Sequence, residues 1–196
     1  MSDSDPIGST RSPDPADETG RTTRDEALLC DVMLGALATY LRMCGYDTTY
    51  ALDRGVEADD RLLEIARDEN RTLFTRDRQL AARARAADTG DASDVGGDGG
   101  STDGAAAGAG GLLLGSHAVT GQLRELRDAG YDLALAERPA RCGRCNGPVE
   151  AVGEKGNTPE YAPESGVEDV WRCVECSQHF WKGSHWESVE RTLADL

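Results

Sequence analysis

The stretch Ala27-Leu28-Leu29-Cys30-Asp31 constrains this chain more than any other. Consecutive apolar residues read as a short strand buried on both faces, the kind found in parallel sheets. An aspartate follows the run. Leu34, Leu37, Leu41 and Cys44 then recur at helical spacing, with Ala38 on the same face. Gly45 stands where a helix end favours a left-handed residue. The unit is therefore strand, acid, helix. In an open α/β sheet, an acid at a strand's carboxyl end faces the crevice that holds the chemistry.

The same order repeats downstream. Thr48-Thr49-Tyr50-Ala51 reads as a β-branched strand, and Asp59 and Asp60 introduce a short amphipathic helix through Leu62, Leu63, Ile65 and Ala66. Thr72-Leu73-Phe74-Thr75 is the next strand, with Arg76 and Asp77 directly after it and an Ala/Arg-rich helix over residues 78–87. Leu112-Leu113-Leu114 resumes the sheet, and Val119, Leu123 and Leu126 mark a helix closed by Gly130. Tyr131 to Ala136 is expected to be extended and to lead out of this unit. Alternating strands and helices predict an α/β fold with a parallel sheet and right-handed crossovers. Residues 1–24 are polar and aperiodic, and 88–111 is rich in Gly, Asp and Ala. We expect a disordered acidic tail and a floppy insertion there, whose Asp91, Asp94, Asp98 and Asp103 bind cations weakly at most.

Charge alone is a poor guide to the ligand. The chain carries 36 acidic against 21 basic residues, a net charge of -15, and Lys155 and Lys182 are its lysines. Nucleic-acid proteins usually show a basic surplus. A lysine-poor acidic surface also suits a halophilic protein, because concentrated salt screens the self-repulsion. With no apolar run long enough to span a bilayer and no secretory signal, the expected location is cytoplasmic and no membrane partner is expected.

Four of the six cysteines form two C-x-x-C pairs, Cys142/Cys145 and Cys173/Cys176. Each pair can present two thiolates to one tetrahedral zinc, and the turn-rich segment between them is too poor in apolar residues to hold itself together. The expectation is a closed structural zinc site; a redox dithiol is the rival reading for either pair alone. Cys30 and Cys44 read as small buried hydrophobes. The segment His179 to Trp186 gathers Phe180, Trp181, Lys182, His185 and Trp186. Aromatic faces beside cations suit single-stranded nucleic acid, but the same residues could form a ribbon's small core. His117 stands alone and reads as structural or solvent-facing.

Asp31, Asp59 or Asp60, and Asp77 each fall at a strand end or helix start. Gathered at one edge, such carboxylates would hold magnesium or manganese, which can activate water against a phosphodiester. The plainer alternative is helix capping, favoured for Asp59 and Asp60. Arg76 beside Asp77 could grip a phosphate or pair with an acid. For Arg42 the plain reading is a surface or N-terminal ion pair.

Taken together, these motifs resemble a known family. The run Asp31 to Ala38 through Leu41-Arg42, then Gly45-Tyr46-Asp47-Thr48, Asp59-Asp60, Leu73 to Asp77 and Gln122-Leu123, is similar to the C-terminal RNase domain of the Mut-seven exonucleases. The likeness continues through Arg141-Cys142, Cys145-Asn146-Gly147, Trp171-Arg172-Cys173, Cys176 and Phe180 to Trp186. It implies a PIN-like (Rossmann-like) three-layer domain over residues 25–138, then a small zinc ribbon over 139–196. It further implies a metal-dependent ribonuclease, with Asp31, Asp60 (or Asp59) and Asp77 as the acidic pocket and Arg76 alongside. Arg76, Lys182 and His185 would then hold the phosphate chain of RNA, expected to be single-stranded, with Trp181 and Trp186 stacking bases. PIN nucleases often carry a further acid near the next strand, whereas Leu112 to Ser116 offers none, leaving only Ser116 and His117. That departure favours the alternative, a non-catalytic RNA- or protein-binding adaptor on a degenerate scaffold. Nucleotide binding is a weaker third reading, since no Gly-rich phosphate loop follows the first strand.

Overall fold

The computed structural model describes residues 23–88 and 110–196. The expectations for the acidic tail and for most of the insertion, including its four aspartates, lie outside these residues. At their described ends, Thr23–Asp25 form a 3-10 turn in which Arg24 pairs with Asp132 at 2.6 Å.

Four parallel strands make the main sheet: β1 (Ala27–Cys30), β2 (Asp47–Tyr50), β3 (Arg71–Thr75) and β4 (Gly111–Leu113). Their spatial order is β2-β1-β3-β4. The helices are α1 (Gly35–Met43), α2 (Asp59–Asp68), α3 (Arg78–Asp88) and α4 (Val119–Asp128). Thus α3 runs through Asp88 and β4 opens at Gly111, so both ends of the expected insertion belong to regular elements.

Strand alternation explains the layers. Leu28 and Cys30 point to one face, where α1 and α4 bring Leu37, Leu41, Leu123 and Leu126. Leu29 and Leu73 point to the other, against Leu62 and Ile65 of α2 and Leu80 and Ala84 of α3. The chain changes face when it reverses direction across the sheet, as crossovers of a single hand require. The result is the expected α/β three-layer arrangement. Gly45 and Gly130 end α1 and α4 with φ of +97° and +90°, the left-handed stops anticipated. Cys30 and Cys44 are fully buried, and burial pushes both thiols up to about 12.

Tyr131 to Ala136 joins no strand. Instead, it is pinned beneath the end of α1: the Asp132 amide donates to the Tyr46 hydroxyl at 3.0 Å and the Ala136 amide to the Met43 carbonyl at 3.2 Å. Beyond it lies a three-stranded antiparallel ribbon of β5 (Val149–Ala151), β6 (Trp171–Cys173) and β7 (His179–Phe180). A helix not anticipated from the sequence, α5 (Ser184–Ala194), follows. Its Leu193 packs back onto the core of the main sheet. Among the described residues no helix is long and apolar enough to cross a membrane.

Candidate functional site

The strand order reverses between β1 and β3, and such a switch point opens a crevice at the strands' carboxyl ends. Asp31 leaves β1 there, and Thr75-Arg76-Asp77 leaves β3 beside it. Asp31 is only 4% exposed. One of its oxygens accepts from the Val32 amide and the other accepts from the Thr75 hydroxyl at 2.6 Å. The Thr75 hydroxyl in turn accepts from the Asp77 amide at 3.0 Å. Thr75 therefore ties the ends of both strands together, a residue the sequence offered no reason to single out.

Capping and crevice position coincide in these two acids. Asp77 Oδ1 accepts from the amides of Gln79 and Leu80 at 2.7 and 2.9 Å, so it caps α3. Asp31 caps the 3-10 turn Val32–Leu34. By contrast, the capping expected of Asp59 or Asp60 is not seen: the N-cap of α2 is Ala58, and both acids lie inside the first turn. There they face the helix's positive end and the guanidinium of Arg83 on α3, which holds Asp60 closely and Asp59 at 4.0 Å. The Asp60 side chain is 79% exposed. Among the described residues, Asp31, Asp60 and Asp77 do not gather into a group spaced for one metal ion. Arg76 is half-buried, and its Nε is buried without a hydrogen-bond partner among the described residues.

Across the crevice, the β4–α4 loop is fixed from α4. Glu125 accepts from the amides of Gly115 and Ser116 at 2.7 and 2.9 Å, and buried Gln122 donates to the Ser116 carbonyl at 3.0 Å. Burial raises the Glu125 pKa, but the Ser116 hydroxyl and the two amides outweigh it and hold the carboxyl below its usual value. An acid does reach the end of β4, then, from a helix rather than from the strand. His117 is exposed, in keeping with the solvent-facing reading.

The four paired cysteines do converge. Their sulfurs lie within 4.8 Å of one another and none is in a disulfide. Cys142 Sγ is 3.6 Å from Cys176 Sγ, and Cys145 Sγ is 3.5 Å from Cys173 Sγ. A zinc tetrahedron with bonds of about 2.3 Å has sulfur edges of about 3.8 Å, so the donor set and spacing fit that ion. Burial opposes ionisation of Cys173, yet the amides of Cys176 and Glu175 win and hold its thiol below the usual value. The first knuckle is clamped to the sheet by Arg42, which is not the surface residue expected but 3% exposed. Its guanidinium donates to the carbonyls of Gly143 and Arg144 at 3.2 and 3.1 Å, to the Thr48 carbonyl at 2.8 Å and to Asp53 at 2.8 Å. Asn146, at φ +67°, adds a second clamp: its side chain accepts from the Thr48 amide at 3.0 Å and donates to Asp47 at 2.6 Å.

Sheet and ribbon thus form a joined pair, and one family model spans both. The model of the Mut7-C RNAse domain matches residues 26–193. The chain belongs to the Mut7-C RNAse domain family. No curated protein matches it, and no solved structure does.

In this Mut7-C chain the ribbon's aromatic residues divide between two jobs. Trp171 is buried as ribbon core. Phe180, Trp181 and Trp186 are half-buried and, with exposed His185, line a cleft of about 260 Å³ against α1. Lys182 Nζ lies 5.5 Å from the Trp186 ring centroid, a cation–π contact.

Proposed function

We propose that this Mut7-C chain is a metal-dependent ribonuclease whose chemistry lies at the β1/β3 switch point. The observation that carries the reading is the coupling of Asp31 and Asp77 through Thr75, beside an Arg76 whose Nε has no partner among the described residues. A buried guanidinium nitrogen without an acceptor invites an anion, and phosphate is the anion that guanidinium geometry suits. Asp31 and Asp77, joined by Asp60 or Asp59 on release from Arg83, would hold magnesium or manganese, for which hard carboxylate oxygens are the fitting donors. Bound there, the ion would activate the attacking water and offset phosphodiester charge. Thr75 holds the Asp31 carboxylate in one orientation, and the α3 cap does the same for Asp77. Arg76 would grip the scissile phosphate. Zinc on Cys142, Cys145, Cys173 and Cys176 would be structural, since four thiolates leave no open position. The substrate under this reading is RNA, and the acidic, lysine-poor surface suits work in concentrated salt.

The rival is the adaptor reading, and Glu125 is the one further carboxylate that the described residues bring to the end of β4. Both its oxygens are engaged by backbone amides, however, so we assign it to holding the loop. The deciding experiment is a manganese- or magnesium-dependent cleavage assay on single-stranded RNA in high salt. Loss of an Asp31 ligand should cost more than the roughly 10–100-fold typical of residues that only orient metal ligands. Asp31→Asn should therefore lower cleavage by more than about a hundredfold while the fold and RNA binding persist. A wild-type chain that binds RNA but cleaves none with any divalent metal is the adaptor.

A further inference from the structure

The cleft between α1 and the ribbon lies away from the acids. Gly35 opens α1 next to the switch point, and Met43 at its far end walls the cleft together with Thr39. At 1.5 Å per residue, the helix carries the chain about 12 Å between Gly35 and Met43. The opposite wall is aromatic: Phe180, Trp181 and Trp186. Arg141, Arg144 and His185 also line the cleft, and none of the described lining residues is acidic. In a chain of net charge -15 that is a marked local reversal of sign. One of the chain's two lysines, Lys182, adds to it from over Trp186. Arg141 already pairs with Asp47 at 3.4 Å, but the Arg144 side chain is exposed and has no ion pair among the described residues.

Size, shape and charge agree on an occupant. About 260 Å³ falls just under the roughly 300–1,000 Å³ of pockets for drug-sized ligands. It suits one planar ring system rather than a folded segment. Aromatic walls beside cations are how proteins take single-stranded nucleic acid without reading sequence. A duplex keeps its bases stacked and could not deliver one into such a cleft.

From this we infer that the cleft is a second RNA-binding site. It holds one unpaired nucleobase against Phe180, Trp181 and Trp186, with the adjoining phosphate on Arg144 and His185, while the same strand runs along α1 to the switch point. The inference rests on RNA being the ligand, though not on cleavage. It also makes the ribbon a working part of the substrate site: the Arg42 clamp fixes the carbonyls of Gly143 and Arg144, and so sets where the knuckle stands against α1.

The test is equilibrium binding of fluorescein-labelled oligouridylate to the zinc-loaded full chain, without added magnesium or manganese. Anisotropy and tryptophan quenching are the two readouts. Arg144→Glu and Trp186→Ala should each weaken binding about tenfold or more, the range expected for losing a stacked base or a phosphate contact. Trp186→Ala should also reduce the quenching. Zinc content and melting temperature should stay as in the wild type, and Arg61→Glu, on the exposed face of α2, should bind normally. The inference is overturned if the wild type does not bind oligouridylate. It is equally overturned if both cleft variants bind within twofold of it, or if an oligouridylate–oligoadenylate duplex binds as tightly as the single strand. The two readings fail separately. A chain that binds as described but cleaves nothing loses the nuclease and keeps the cleft. A chain that cleaves while both variants bind normally loses the cleft and keeps the nuclease.

Discussion

Arg42 and Asp47 decide how the two parts of the chain meet. Arg42 satisfies four acceptors from three segments while almost wholly buried. Arg42→Ala would strand the three backbone carbonyls it satisfies, and leaving a buried acceptor unsatisfied costs about 1–3 kcal/mol. Urea titration should show a loss of that size, with faster release of zinc from the knuckle. Asp47 is held differently. Burial alone would raise its pKa, but Arg71 at 3.0 Å, Asn146 and Arg141 outweigh it and hold the carboxyl below the usual range. A carboxyl lowered on folding contributes stability that is fully present above its unfolded pKa of about 3.9 and is lost as pH falls through its folded value. Urea midpoints should therefore drop below about pH 4, and Asp47→Asn should flatten part of that drop. Arg42 also shows why some of the site was illegible in sequence. Its knuckle partners lie 101 and 102 residues downstream, and no local pattern announces them.

Elements were easier to read than their partnerships. The strand–acid–helix unit at Ala27 to Met43 was legible because an apolar run and a 3.6-residue period are both local signals. The stops at Gly45 and Gly130 were legible because a left-handed residue favours glycine. Capping is not legible at this level, since an aspartate before a helix and one inside its first turn look alike in sequence. Only the backbone distinguishes Asp77, which caps α3, from Asp60, which faces Arg83. Helix α5 is harder to read, because Trp186, Val189 and Leu193 have helical spacing but Trp186 also belongs to an aromatic cluster that suits a nucleic-acid surface. Gly111 yields a prediction at this scale. A Cβ there would stand 2.6 Å from the Ala81 carbonyl and 2.7 Å from Ala84 Cβ, so β4 passes α3 with no room for a side chain. Gly111→Ala should destabilise by about 1–3 kcal/mol, the usual cost of overpacking, as measured by urea unfolding.

Across the whole molecule, one lobe coheres through apolar burial and the other through thiols. The main sheet has two buried faces, whereas the described ribbon has short strands around Trp171 and four converging sulfurs. We expect about one zinc per chain by elemental analysis. Because Trp171, Trp181 and Trp186 all lie in or beside the ribbon, tryptophan fluorescence reports that lobe. A strong chelator should shift the fluorescence markedly and leave most of the far-ultraviolet helix signal. Simultaneous loss of both would mean that the sheet cannot stand without the ribbon.

The Arg42 clamp carries a further consequence, for the order of events while the chain is being made. Helix α1 leaves the ribosome with a guanidinium that must be buried, and its acceptors at Gly143 and Arg144 are about a hundred residues away. At synthesis rates of about 5–20 residues per second, that is a wait of about 5–20 s. Throughout it the nascent sheet exposes the α1 flank on which the knuckle will later sit. Growth at low temperature lengthens this interval, and a slow codon run between α1 and the first knuckle would lengthen it further.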